Sequence, residues 1–126
     1  MASVAEHLAQ ARHNEAFLAS LDLPTTPYLD WAVTAIFYAA LHYLRGLLAR
    51  HHVTNISRYG EMDKAFDRLA VLRGNPSIYI DYRQLKDDSR AARYNMWRPP
   101  YGEVVDFRDG ELRRIREFVL AHLGSR

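Results

Sequence analysis

An apolar segment from Trp31 to Ala49 constrains the fold more than any other part of the sequence. It has 19 residues and one charge, Arg45, which is close to the length needed to cross a bilayer. Polar side chains nevertheless recur along it at steps of four, four and three, so that a helix would carry them in one stripe: Thr34, Tyr38, His42 and Arg45. A lipid-facing helix would resist such a stripe. The segment therefore predicts the central helix of a bundle, with no membrane contact.

Helix start and stop signals recur along the 126 residues and predict an all-α fold, a bundle of four to five helices in a single domain covering residues 1–126. The capping box at Ser3 and Glu6 marks the first start, and Thr26 followed by Pro27 marks the second. The predicted helices are Val4 to Leu21, Pro27 to Arg50, Ser57 to Leu72, a fourth capped by Ser77, and Asp109 to Leu123. The Pro99-Pro100 pair predicts that Met96 to Phe107 is a long connection, with a short extended piece at Glu103 to Phe107.

The predicted fourth helix carries two rows of side chains that lie side by side. One row is a core-facing seam that ends in small residues: Ile78, Tyr82, Leu85, Ser89 and Ala92. The other is cationic, with steps of three, four and three: Arg83, Lys86, Arg90 and Arg93. Tyr79 precedes the cationic row and Trp97 follows it. Such a row suits phosphate contacts with base stacking, but it could also be a solvated face that pairs with aspartates such as Asp87.

Several kinds of chemistry are excluded or disfavoured by composition. The chain has no cysteine, which rules out thiol catalysis and sulfur-ligated zinc. Its six histidines form no HExxH motif and its glycines form no phosphate-binding loop, so we expect neither a metal nor a cofactor. No signal peptide is visible at the N-terminus, and we expect a cytoplasmic location.

Two strings, FYAALHYLRGLLAR (Phe37 to Arg50) and YRQLKDDSRAARYN (Tyr82 to Asn95), resemble the HEPN superfamily. That resemblance implies a compact helical bundle, usually a homodimer, that handles RNA or nucleotides, often within defence or toxin–antitoxin systems. Many HEPN ribonucleases use an arginine and, four to six residues later, a histidine on the later helix. This sequence departs from that pattern, because no histidine occurs between His52 and His122.

The leading prediction is therefore a HEPN-like RNA- or nucleotide-binding module that is non-catalytic or catalytically altered. Its phosphate contacts are assigned to the cationic row, its stacking to Tyr94 and Trp97, and its cleft lining to Tyr38, His42 and Arg45. Two alternatives stay open. One is a metal-independent endoribonuclease that uses His42 with Arg90 or Arg93. The other is a protein-interaction domain whose partner is encoded by a neighbouring gene.

Overall fold

The computed structural model describes residues 2–53 and 59–124, and within those ranges the chain is helical with no strand. The all-α prediction is confirmed. The helices are α1 (Val4–Ala19), α2 (Leu29–Arg50), α3 (Tyr59–Arg68), α4 (Ala70–Arg73), α5 (Pro76–Tyr94), α6 (Tyr101–Phe107) and α7 (Arg113–Gly124). A π-helical turn, Arg108–Leu112, joins α6 to α7.

The first helix begins at the predicted capping box. The Ser3 hydroxyl accepts a hydrogen bond from the Glu6 N–H at 3.1 Å, and the Ser3 N–H donates to Glu6 Oε1 at 3.0 Å. The second helix begins slightly later than predicted. Thr26 accepts from the Tyr28 N–H at 3.1 Å, which stabilises the turn before α2 and not its first residues.

The second helix is the centre of the fold, and α1, α5, α6 and α7 all pack against it. It is long and apolar enough to cross a membrane, but 78% of its most apolar stretch is buried by the other helices. Phe37, Leu44 and Leu47 are completely buried within it. Burial of this kind is what places α2 in a core, as predicted from its sequence.

The seam predicted on the fourth helix is confirmed on α5, where all five of its residues are buried: Ile78, Tyr82, Leu85, Ser89 and Ala92. The predicted third helix is instead divided. Leu69 adopts an extended backbone conformation, so α3 ends at Arg68 and the short α4 starts at Ala70. Its predicted beginning at Ser57 lies outside the described residues.

The prediction of a long connection from Met96 to Phe107 is wrong in its second half. Helix α6 begins at Tyr101, directly after Pro100, so Glu103 to Phe107 is helical and not extended. A proline restricts the residue before it, but it can stand at a helix start, where no N–H partner is needed. Val104 is completely buried, and its burial in the core anchors α6.

Candidate nucleic-acid interface

Arg93, near the C-terminal end of α5, is held against α2 by aromatic side chains. Its Nη1 donates a hydrogen bond to the Tyr38 hydroxyl at 2.9 Å. Its guanidinium carbon lies 5.3 Å from the Tyr38 ring centroid, 5.4 Å from that of Tyr94 and 5.8 Å from that of Phe37. These distances are within cation–π range. The guanidinium is therefore positioned by three rings, and its Nε is buried with no hydrogen-bond partner among the described residues.

Two further arginines of the row are exposed. Arg90 lies one turn before Arg93, and Arg83 donates from Nη1 to the Tyr79 hydroxyl at 2.9 Å. In the described ranges neither Arg83 nor Arg90 forms an ion pair with an aspartate. Instead, Asp88 accepts from the Gln84 amide at 2.7 Å. The expected pairing of the row with its own aspartates thus does not occupy these two guanidinium groups.

Lys86 belongs to the same row in sequence but is buried in the structure. Its side chain is 11% exposed, and its Nζ lies 3.8 Å from Asp63 Oδ2 of α3 and 5.8 Å from the Tyr82 ring centroid. This ion pair connects α5 to α3. A phosphate contact by Lys86 would require the pair to open.

Trp97 lies on a different surface of the molecule from Arg93. Helix α5 ends at Tyr94, and Met96 has a positive φ of 55°, which turns the chain before the tryptophan. Trp97 then lines a groove of about 510 Å³ between α5 and α6 with Asp88, Glu103 and other acidic side chains. Its ring therefore borders a negatively charged surface and does not extend the arginine row.

His42 faces α1, where its nearest polar partner is His7. The two Nδ1 atoms are 3.2 Å apart, and the ring centroids are 5.4 Å apart. Burial, followed by the charges of His7 and Arg45, lowers the pKa of His42 to about 4. Among the described residues, no hydrogen bond connects His42 to Arg90 or Arg93. The predicted cleft is thus divided: Tyr38 contacts α5, and His42, near Arg45, contacts α1.

A small cavity lies between the beginning of α2 and the end of α5. It measures about 170 Å³ and is lined by Asp30, Trp31, Thr34, Ala92 and Arg93. Asp30 Oδ1 accepts from the Trp31 N–H at 2.9 Å, and the Trp31 side chain is 55% exposed. Sequence reasoning missed Asp30 and Trp31. The available signal was an acidic residue in the first turn of a helix, beside an aromatic residue at the edge of the apolar segment.

No protein-family model, curated protein or solved structure matches this chain. The HEPN resemblance accordingly rests on the two strings alone.

The described residues contain no cluster of three or more metal-ligating side chains arranged to hold an ion. The groups present at the interface are guanidinium groups, one carboxylate and exposed rings. These groups can bind charge and stack on planar molecules.

Proposed function

We propose that this chain is a HEPN-like helical module that binds RNA or nucleotides through the end of α5 without cleaving them. By the HEPN resemblance, we further propose that it acts as a cytoplasmic homodimer in a defence or toxin–antitoxin type system, together with a partner from a neighbouring gene.

One observation carries the binding proposal: Arg93 is fixed among aromatic rings next to the exposed Arg90 and the exposed ring of Tyr94. Single-stranded nucleic acids are bound by this combination of guanidinium groups that contact the backbone and rings on which bases stack. Because Arg93 is already ordered by Tyr38, less side-chain entropy is lost when it binds a ligand.

The proposed contacts are assigned by accessibility. Arg90 and Arg83, which are both exposed and lie about two turns apart on α5, contact phosphates of the ligand, and Arg93 contacts the nucleotide beside Tyr94. Tyr94 is 73% exposed and stacks on a base. Lys86 and Trp97 are left outside this surface, because one is buried beside Asp63 and the other borders the acidic groove.

Fluorescence anisotropy of a labelled single-stranded RNA, measured over a range of salt concentrations, tests the proposal. Affinity falls as salt rises, and each lost phosphate contact reduces the magnitude of the slope of log affinity against log salt by about 0.7. The double variant Arg90→Ala and Arg93→Ala removes the phosphate contact of Arg90, so the magnitude of its slope should decrease by at least about 0.7. Arg113→Ala, which removes an exposed arginine of α7, is the matched control and should leave the slope unchanged. Affinity that is independent of salt, or equal in the double variant and the control, would contradict the proposal.

The oligomeric state is tested separately. Light scattering of the 14.6 kDa chain distinguishes a monomer from the proposed dimer. A monomer at all concentrations would remove the dimer from the proposal without affecting RNA binding.

A second candidate, docking of a partner protein, is favoured by exposed apolar side chains on α2 and at the end of α5. Trp31, Tyr94 and Met96 are 55%, 73% and 88% exposed. Large exposed apolar groups of this kind mark interaction surfaces when they cluster. Loss of partner binding in Met96→Ser, with RNA affinity unchanged, would identify this role as distinct from RNA binding.

A further inference from the structure

We infer that the cavity between the beginning of α2 and the end of α5 is a subsite for one nucleobase and that it selects guanine. The inference rests on the proposed RNA or nucleotide binding, and it names the base that this surface prefers.

The two charged residues that line the cavity restrict what it can hold. Asp30, from α2, repels a phosphate, whereas Arg93, from α5, repels a cationic side chain. A neutral group that offers hydrogen-bond donors to the carboxylate and acceptors to the guanidinium satisfies both residues. Such a ligand also avoids leaving either charged group without a partner when water is displaced.

Guanine has this arrangement of donors and acceptors. Its N1–H and N2–H groups are adjacent donors that a carboxylate accepts, while O6 and N7 are acceptors that arginine contacts in a bidentate manner. Adenine has an acceptor at N1, where guanine has the N1–H donor. In the same position its N1 would face a carboxylate oxygen, so that two acceptors would oppose each other. Discrimination between the two purines thus follows from Asp30 more than from Arg93.

Asp30 and Arg93 can both form further hydrogen bonds with a ligand. Asp30 Oδ1 accepts from the Trp31 N–H, but a carboxylate has about four lone-pair sites in total. Arg93 donates from Nη1 to Tyr38, and its Nε is buried. The remaining N–H groups of Nη1 and Nη2 are left to donate to a ligand, while the Tyr38 contact fixes the guanidinium.

Size and stacking agree with a base as the ligand. The volume of about 170 Å³ is below the range of about 300–1,000 Å³ found for drug-sized ligands, so the cavity suits a fragment such as one ring system. Thr34 and Ala92 are small side chains that leave this space open. The Trp31 indole, which is 55% exposed, provides a surface on which the base can stack.

The test uses Trp31 as a reporter. The chain has two tryptophans, so Trp97→Phe leaves Trp31 as the sole tryptophan. In this background we expect GMP to quench fluorescence at concentrations at which AMP has little effect. We also expect a seven-nucleotide oligouridine with one central guanine to bind at least about tenfold more tightly than the same oligomer with adenine.

Asp30→Asn should abolish that preference, because an amide replaces one acceptor with a donor. Asp67→Asn, which neutralises an exposed aspartate of α3, is the matched control and should keep the preference. Trp31→Ala provides a second variant, in which affinity for both oligomers should fall while the ratio between them persists. Circular dichroism verifies that each variant is folded.

The outcomes separate the inference from the proposed function. Equal affinity for the guanine and adenine oligomers, or a guanine preference that survives Asp30→Asn, would overturn the inference. RNA binding that still depends on salt and on Arg90 would in that case leave the proposed function intact. If RNA does not bind at all, both fail.

Discussion

Acidification should destabilise this protein through the histidine pair that joins α1 to α2. His42 has a folded-state pKa of about 4, against an ordinary value of 6.5, because it is partly buried next to His7 and Arg45. Burial likewise lowers the pKa of His7. Between pH 6.5 and about 4 the unfolded chain binds more protons at His42 than the folded chain does, so this residue lowers the free energy of unfolding as the pH falls. The contribution of His42 is complete above pH 6.5 and is lost as the pH approaches about 4.

The magnitude follows from the difference between the two pKa values. A fully buried group with this difference would contribute about 3 kcal/mol. The His42 ring is only half-buried, and solvent screening reduces its contribution to about 1–2 kcal/mol. The charges that face it come from His7 on α1 and Arg45 on α2, and both oppose its protonation.

Urea unfolding between about pH 7 and pH 4.5, monitored by circular dichroism, measures this contribution. The variant His42→Gln stays neutral over the whole range and isolates the histidine from the carboxylates, which titrate equally in both proteins. Wild type should lose about 1–2 kcal/mol more than His42→Gln across the range. His51→Gln, which removes an exposed histidine, should behave as wild type. If wild type and His42→Gln lost the same stability, the electrostatic account of the pair would be wrong.

Three further predictions concern the ion pairs and the absence of cleavage. Asp81 is buried and accepts two hydrogen bonds from Arg114 at 2.8 and 2.9 Å, so Asp81→Asn should lower the free energy of unfolding by about 1–3 kcal/mol in urea titrations, whereas the exposed Asp87→Asn should not. Lys86→Ala should reduce the thermal midpoint but leave RNA affinity in anisotropy titrations near the wild-type value, since Lys86 is paired with Asp63; a loss of affinity as large as that of the Arg90 variant would refute this reading. Long incubation of labelled RNA with the purified protein and a chelator should leave the RNA intact on a denaturing gel, and cleavage that disappears in His42→Ala would favour the ribonuclease alternative.

The parts of the fold that sequence predicts are those set by local periodicity. The apolar segment around Phe37 and Leu44 identifies α2 as a core helix, and the five-residue seam identifies the buried face of α5. Helix α6 could not be predicted in this way. The Pro99-Pro100 pair indicates an interruption, whereas the helix that resumes at Tyr101 is stabilised by a tertiary contact, the burial of Val104 in the core.

The candidate site was predictable only in part, because its members are brought together by tertiary contacts. Spacing places Arg90 and Arg93 on one face, yet it does not show that Arg93 bonds to Tyr38, 55 residues earlier. Lys86 has the spacing of its neighbours, but it is buried and pairs with Asp63 of α3. The partner of His42 is His7, 35 residues away on a helix whose orientation no local pattern reveals.

The π-helical turn Arg108–Leu112 bears on how this chain tolerates changes in length. Val104 and Leu112 are both completely buried although they are eight residues apart, which in a regular α-helix would place them about 80° around the axis from each other. The π-helical turn holds one residue more than a regular turn, so Val104 and Leu112 are placed around the axis as if they were seven residues apart. Seven residues make about two full turns, which puts both side chains on the same face. Removing one residue within the turn, such as Gly110, would therefore be absorbed by conversion to regular helix. The same deletion within α7 would rotate the buried Ile115 or Val119 toward solvent. This turn is thus a place in the C-terminal helices where the deletion of one residue can be accommodated without loss of the core.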